Sequence, residues 1–462
     1  METKLNYKRT FLIGLAFLSI CSFWQMYDNI IPLILQNTYH LGETMTGAVM
    51  ALDNVLAIFL LPVFGMLSDK VHTKLGRRMP FIVAGTILAV IFMMLLPMID
   101  NAEKARWSTG ESFSNQVIFL AVLFFTLVSM GLYRSPAVAL MPDVTPNHLR
   151  SRANAVINLM GAVGGVYALI MIKVLVGKGE TPDYLPLFAS IAAVMAIAVG
   201  ILVITIRENK LREEVEKAEA ANTEKVEEKA IAEGVEAAGE IEAVADTEQS
   251  GATGKTKGMP KEVKRSMYFM LASIFLWFTA YNAVTTAFSR YTKVVWKMEG
   301  GSFANCLMVA TVAAIFSYIP IGSISAKIGR KKTIMGGVLL MAACYGAAIF
   351  AREYHPIVNV AFALIGVAWA AINVNSYPMI VAMSSGSDVG KFTGTYYTFS
   401  MAAQILTPVL SGFLLENVSY NTLFPYALFF SLMAFLTMTQ VRHGDVKPQK
   451  KESILENFDV DD

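Results

Sequence analysis

The stretch GMLSDKVHTKLGRRMPF, from Gly65 to Phe81, places an acid and a run of bases between two of the most apolar segments of the chain. On its N-terminal side, Met45 to Leu67 is apolar apart from Asp53, Asn54 and a few small hydroxyl residues; on the other side, Phe81 to Ile99 holds no ionisable group. Each flank approaches the roughly 20 residues that a helix needs to cross a bilayer. The charged stretch therefore reads as a short loop joining two membrane spans.

The rest of the chain repeats that pattern. Only 16% of its 462 residues are charged and 55% are hydrophobic, with a mean hydropathy of +0.50, whereas a soluble domain carries about 25% charged residues. Twelve apolar spans are expected near 11–35, 45–67, 80–99, 117–142, 154–176, 184–206, 266–291, 303–324, 333–350, 355–382, 391–415 and 422–440. The first is too long, and too poor in a small-residue cleavage site, for a removable signal, and is taken as a transmembrane helix.

Orientation follows from the short loops, because Lys and Arg are retained on the cytoplasmic side. With the N-terminus inside, the inner loops hold Lys70, Lys74, Arg77, Arg78, Arg150, Arg152, Lys327, Arg330, Lys331, Lys332 and Lys391, whereas the outer loops hold only Lys104, Arg106, Lys178, Lys293, Lys297 and Arg352. Both termini are expected in the cytoplasm. The net charge of +2 says little about partners. Cys21, Cys306 and Cys344 are scattered inside spans, so neither a disulfide nor a metal framework is expected.

The chain divides into an N-terminal half (1–206), a charged linker (207–265), a C-terminal half (266–442) and a tail (443–462). From Glu213 to Glu248 the linker is dominated by Glu and Ala, which predicts a solvated helix or coil. The halves read as a parallel repeat. GMLSDKVHTKLGRR at Gly65 has a shorter counterpart, GSISAKIGRKK, at Gly322; MYDNIIP at Met26 faces AYNAVTT at Ala280; YRSPAVALM and NSYPMIVAM align Pro136 with Pro378. The offset shrinks because Asp100 to Asn115 is expected to form a long outer loop that the second half replaces with a tighter turn. The fold expected is an all-α membrane protein of twelve transmembrane helices in two six-helix halves, a transporter plan with the substrate between the halves.

The Gly-x-Leu-x-Asp and Gly-Arg-Arg elements of the opening loop resemble the gating loop of the major facilitator superfamily. SDKVHTKLGRRMPFI (Ser68–Ile82) and YRSPAVALMPDVTPNHLRSRANA (Tyr133–Ala155) are similar to the sucrose and disaccharide proton symporters and to the glycoside-pentoside-hexuronide cation symporters. The resemblance implies an inner gate that contains Asp69 and Arg77. Gly65 and Gly76 would allow close approach and a sharp turn, and Arg78, Asp143 and Arg150 would be further members, with Asp143 pairing to Arg150 or Arg152. Lys70 and Lys74 are accounted for as positive-inside anchors. In the second copy Ala326 replaces the acid, so the gate is expected to be asymmetric.

Asp28, Asp53 and Arg134 lie well inside predicted spans. A charge at the bilayer centre costs about 2.5 to 3.5 kcal/mol even on a lenient scale, so each needs a partner, a wet cavity or a neutralising proton. At 1.5 Å per residue, Asp28 lies roughly 8 Å and Asp53 roughly 5 Å outward of the middle of their spans, with Arg134 roughly 6 Å inward. Two carboxylates at a shared depth can share a proton, which makes Asp28 and Asp53 the expected coupling pair. A fixed structural ion-pair network is the competing reading.

The resemblance implies that the first, fourth, seventh and tenth helices line the cavity, and their polar and aromatic residues give the substrate candidates Trp24, Gln25, Asn29, Arg134, Tyr281, Asn282, Trp369, Asn373, Asn375 and Tyr377. Amides and hydroxyls suit a neutral hydroxylated ligand, and aromatic faces suit a pyranose ring. Tyr396, Tyr397 and Gln404 in the eleventh span are weaker candidates. The chain lacks the paired acids that melibiose-type members carry on the second helix for sodium, so protons are preferred. It also lacks the mid-span acid of the plant sucrose carriers on span four.

The function expected is a symporter of a bacterial cytoplasmic membrane that imports a glycoside or disaccharide with a proton. A proton-coupled exporter of drugs or metabolites is the alternative within transport, and a nontransporting membrane sensor the alternative of another class. No GxxxxGK[ST] loop, nucleophile elbow or zinc motif is present in the sequence. Neither an enzyme, a cofactor nor a nucleic-acid partner is therefore expected.

Overall fold

The computed structural model describes residues 5–109, 114–179, 181–217, 219–220, 260–383 and 389–445. Among them run twelve long helices: α1 (Tyr7–Asn37), α2 (Glu43–Lys70), α3 (Met79–Thr109), α4 (Gln116–Asp143), α5 (Arg150–Leu175), α6 (Leu185–Thr205), α7 (Lys261–Val294), α8 (Ala304–Ile328), α9 (Arg330–Ala348), α10 (Val358–Val381), α11 (Val389–Asn417) and α12 (Leu423–Thr439). Eleven are long and apolar enough to cross a membrane. The exception, α9, has 19 residues, opens on three consecutive bases and includes three glycines. Phe59, Ile204 and Phe316 stand 65%, 82% and 73% exposed on helices that are apolar all round. Such a surface is one that lipid covers.

Packing repeats between the halves. In the first, α1 packs on α5 and α6, α4 on α2 and α3, and α3 on α6; in the second, α7 packs on α11 and α12, α10 on α8 and α9, and α9 on α12. Across the halves, α2 meets α11, α5 meets α8, and α1 meets α7. Because α2 and α8 occupy equivalent places, as do α5 and α11, the first two contacts are one interface seen twice about a two-fold axis. The end of the bundle that carries Gly65–Phe81 is called the basic end below. At the opposite end the halves touch backbone to backbone: a Cβ on Gly47 would strike the Pro408 carbonyl, one on Gly412 the backbone of Glu43, and one on Gly301 that of Ile172.

The loop between α2 and α3 turns on Gly76, whose φ of +124° lies where only glycine sits without strain. Its N–H and carbonyl both bond Thr73, at 3.1 and 3.3 Å. A side chain there would run into the Glu208 carboxylate.

One sequence expectation changes, and the structure adds detail to a second. The stretch from Asp100 to Asn115 is not a loop from its start, because α3 continues as a helix to Thr109. Its polar residues satisfy one another there: Lys104 Nζ donates to Asp100 at 2.5 Å and to the Pro182 carbonyl at 2.7 Å, and Glu103 accepts from the Asn115 N–H at 2.8 Å. The linker also packs on the first half ahead of its acidic stretch, whose Glu213, Glu214 and Glu216 are helical and exposed. Residues 208–217 are helical, Glu208 and Val215 are buried, and Asn209 Nδ2 donates to the Thr73 carbonyl at 2.9 Å. The rest of the acidic linker, 221–259, and the tail from 446 to 462 lie outside the described residues.

Candidate functional site

Between the halves lies a cavity of about 560 Å³, lined from α1, α4, α5, α7, α8, α10 and α11. It reaches toward the basic end, where Met141, Pro142, Asn154 and Tyr318 line it. Its aromatic walls come from both halves. Trp24 of α1 stands edge-on to Tyr27 at 5.4 Å, while Tyr281 of α7 stacks on Trp369 of α10 with ring centres 3.9 Å apart and planes 8° apart. Both residues line the cavity, and the stacking holds their rings against each other.

Asp28 and Gln25 line this cavity and also a smaller one of about 230 Å³, which continues away from the basic end. Among the described residues Asp28 makes no ion pair and no hydrogen bond. Arg134, from α4, faces the larger cavity with its guanidinium carbon 5.9 Å over the Trp24 ring. It too makes no hydrogen bond or ion pair among the described residues. Asp53 lines neither cavity; its Oδ1 accepts from Asn54 Nδ2 at 2.8 Å. It nevertheless lies within Coulombic range of both Asp28 and Arg134.

Of the ten substrate candidates, Trp24, Gln25, Arg134, Tyr281 and Trp369 line the larger cavity, and Asn29 and Asn282 line the smaller. Asn373, Asn375 and Tyr377 line neither. Asn375 Nδ2 bonds the Ala371 carbonyl of its own helix at 2.9 Å, and Tyr377 reaches Thr393 at 3.0 Å, so this part of α10 packs against α11 instead of facing the lumen. Asn154 and Asn158 on α5, and Thr311 and Tyr318 on α8, line the cavity without having been singled out from the sequence. Their only signal there is polarity at helical spacing on spans that the resemblance left aside.

At the basic end, Asp143 binds both arginines of the loop: Arg77 Nη2 at 2.6 Å and Arg78 Nε at 2.9 Å. Asp69 pairs with Arg78 at 2.5 Å, and Arg78 also reaches the Gly65 carbonyl and Ser68 Oγ. Arg150 does not join these acids. Its guanidinium caps the end of α4, donating to the carbonyls of Pro142 at 3.0 Å and Thr145 at 3.3 Å. Every member of the network belongs to the first half, so it ties α2, α3 and α4 to one another and does not bridge the halves.

Glu208 completes this corner, and sequence reasoning missed it inside the acidic linker. Its carboxylate accepts from the backbone N–H groups of Arg77, Arg78 and Met79 at 2.8 to 2.9 Å, covering the exposed donors of the α3 N-terminus. In the second half Asp445, just past α12, does the same for α9, accepting from the Lys331 N–H at 3.0 Å. Replacing Glu208 with alanine is expected to lower stability by up to about 2 kcal/mol, the upper range for a lost helix cap. Glu208→Gln, which keeps an acceptor oxygen, is expected to lose less. Thermal unfolding in detergent measures both, and an unchanged Tm for the alanine variant would discount the cap.

The opposite end is closed by a cross-half cluster. Glu43, at the start of α2, accepts from Arg290 Nε of α7 at 2.8 Å and from the Tyr420 hydroxyl, and both members of the ion pair are buried. Arg290 also donates to the Thr286 carbonyl at 2.9 Å, and the Thr44 N–H donates to Glu416 at 2.7 Å. The halves are thus latched at this end while the cavity extends toward the other.

The family model of the Major Facilitator Superfamily matches residues 12–318 and 296–457. The chain is 35% identical over 116 residues to the sucrose transport protein SUC4 of Arabidopsis thaliana, covering 24% of this chain and 22% of that protein. It is 26% identical over 137 residues to the sucrose transport protein SUT3 of Oryza sativa subsp. japonica, covering 28% and 27%. The chain therefore spans about a quarter of the length of these relatives. In fold it resembles the nucleoside transporter NupG, with a TM-score of 0.64 at 14% identity over 94% of this chain and 100% of that one. It likewise resembles a peptide transporter, POT, in complex with alafosfalin, with a TM-score of 0.65 at 12% identity over 96% of both. Matched in sequence through both halves and in fold to these transporters, the chain belongs to the major facilitator superfamily.

Proposed function

We propose that this transporter imports a glycoside or disaccharide together with a proton by alternating access, with both termini in the cytoplasm of a bacterial cell. The observation that carries the reading is the cavity itself, where aromatic faces from both halves, an amide and a free guanidinium surround one unpaired carboxylate. Aromatic faces take the C–H face of a sugar ring, while Gln25 and Arg134 offer hydrogen bonds to hydroxyls. The partial likeness to sucrose transport proteins points the same way.

A carboxylate without a partner in a membrane core needs a compensating cation, and a proton supplies one that leaves when water enters. Basic loops mark the cytoplasmic side, so the cavity extends inward while the latch at Glu43 and Arg290 closes the outer side. Rocking about the two-fold axis would break that latch and close the basic end in its place. The Asp69, Arg77, Arg78 and Asp143 network then serves as an inner-gate clamp, keeping α2, α3 and α4 rigid as the half moves.

Uptake of labelled disaccharides into proteoliposomes, with and without an inward proton gradient, tests the reading. Accumulation of one sugar only under the gradient is the expected result. If no sugar moves under any gradient, the substrate assignment is wrong and export of another compound class becomes the reading to pursue.

A further inference from the structure

Helix α7 lines the central cavity only from Tyr281 onward, and its first turns carry a separate pocket at the basic end. That pocket is about 360 Å³ and, among the described residues, is lined by Lys261, Lys264, Arg265, Tyr268, Phe269 and Ala272. Their spacing of three and four puts them on one face of the helix. Another face is taken, because Ser266 meets His443 and Ser273 meets Thr437, each at 2.8 Å. The pocket face stays open, with Tyr268 60% exposed. Lys264 Nζ stands 6.0 Å over the Tyr268 ring and the Arg265 guanidinium carbon 5.7 Å over that of Phe269. Among the described residues no acid pairs with any of the three bases. Glu262, the acid of this first turn, lies off the lining. The equivalent place in the first half differs, since Arg9 at the start of α1 meets Glu214 of the linker at 3.9 Å.

We infer that this pocket binds an anionic phospholipid, its phosphate on Lys261, Lys264 and Arg265 and its acyl chains against Tyr268, Phe269 and Ala272. Three bases without an acid are matched in charge by a phosphodiester. Depth supports the same occupant. With 34 residues, α7 is about 51 Å long, more than the roughly 40–45 Å of a whole bilayer, so its first turns stand in the polar layer. Lys261 to Arg265 takes up about 6 Å of the axis, close to the thickness of one interfacial layer, and the rings follow where hydrocarbon begins. Aromatic residues favour that boundary. A soluble anion would use the bases and leave the aromatic and apolar floor uncovered, whereas a lipid fills both. The site is separate from the cavity and does not depend on what the cavity carries.

The test is native mass spectrometry of the whole chain in detergent, titrated separately with phosphatidylglycerol, phosphatidylcholine of the same chain length and glycerol 3-phosphate. Three proteins are compared: the wild type, the pair Lys264→Gln with Arg265→Gln, and the control pair Lys70→Gln with Lys74→Gln, whose bases are exposed at the same end. Expected is a first phosphatidylglycerol bound more tightly than phosphatidylcholine by the wild type. The α7 pair should weaken it about thirtyfold, at roughly fivefold per base, while the control pair stays within about twofold. Equal affinity for the two lipids, or an equal loss in both variant pairs, would mean that charge at this end attracts lipid without a site, and overturns the inference. Glycerol 3-phosphate binding as tightly as phosphatidylglycerol would make the occupant a soluble anion and overturn it as well. It falls too if phosphatidylglycerol binds only after residues 221–254 are deleted, because the chain's own acids would then be the occupant.

Discussion

Replacing Asp28 with asparagine is expected to abolish gradient-driven accumulation while sparing exchange. A potential of 100 mV is worth about 2.3 kcal/mol per charge, so a carrier moving one proton with each sugar accumulates about 50-fold at equilibrium. Asparagine has the shape of the protonated carboxyl and binds no proton, so Asp28→Asn should hold the site in its loaded form. The loaded carrier still rocks, and labelled sugar should exchange for unlabelled sugar at a rate near that of the wild type. The accumulation ratio should fall to about one, because the gradient no longer acts on the site. Only Asp28, among the acids of the described residues, lines both cavities. Asp53, off the cavity and already bonded to Asn54, should when replaced lower the accumulation rate more than its limit. The decisive measurement is net uptake beside exchange in the same proteoliposomes. A variant that still accumulates sugar would place the coupling group elsewhere, with Asp53 the next to replace.

Those residues were legible in the sequence because a charge or a large aromatic ring within an apolar span stands out against its neighbours. Asp28, Arg134, Trp24, Tyr281 and Trp369 all reach the cavity for that reason. Azimuth was not legible. Helix α10 is apolar nearly all round, so nothing in its pattern separates the face of Trp369 from the stretch where Asn375 and Tyr377 turn to local packing. Amides and hydroxyls on α5 and α8 were passed over because similar residues bond between helices in any membrane bundle. In the Gly65–Phe81 loop, charge alone marked the residues that could pair, without saying which partner each would take. Asp69, Asp143 and the two arginines do meet, but inside one half. Glu208 was hidden among the many acids of the linker, where only the fold selects the one that meets the α3 N-terminus. The Glu43–Arg290 latch was invisible for a related reason, since each partner sits at the end of a span where a charge is ordinary.

That latch should show the largest conformational effect of any single substitution. Removing one partner of a buried ion pair costs about 3–5 kcal/mol, because the other charge is left in a site without water. With Arg290→Gln, Glu43 is left with the Tyr420 hydroxyl alone, and the penalty falls only on the state closed at this end. Opening that end hydrates the carboxylate and removes the penalty. The equilibrium should therefore move toward the state open at this end by roughly 10²-fold to a few thousandfold, at about 1.4 kcal/mol per tenfold. Ser411 is buried in α11 beside Gly412, which packs on the Glu43 backbone, so it reports on the seam. With Cys21, Cys306 and Cys344 replaced by serine or alanine, Ser411→Cys should react slowly with a membrane-impermeant thiol reagent in the latched protein and at least tenfold faster once Arg290→Gln is added. Replacing both partners, Glu43→Gln with Arg290→Met, leaves no orphan charge and should return most of the protection. Equal labelling rates with and without Arg290 would mean that the backbone contacts at Gly47 and Gly412 hold this end shut by themselves, and that the ion pair is a consequence of closure and not its cause.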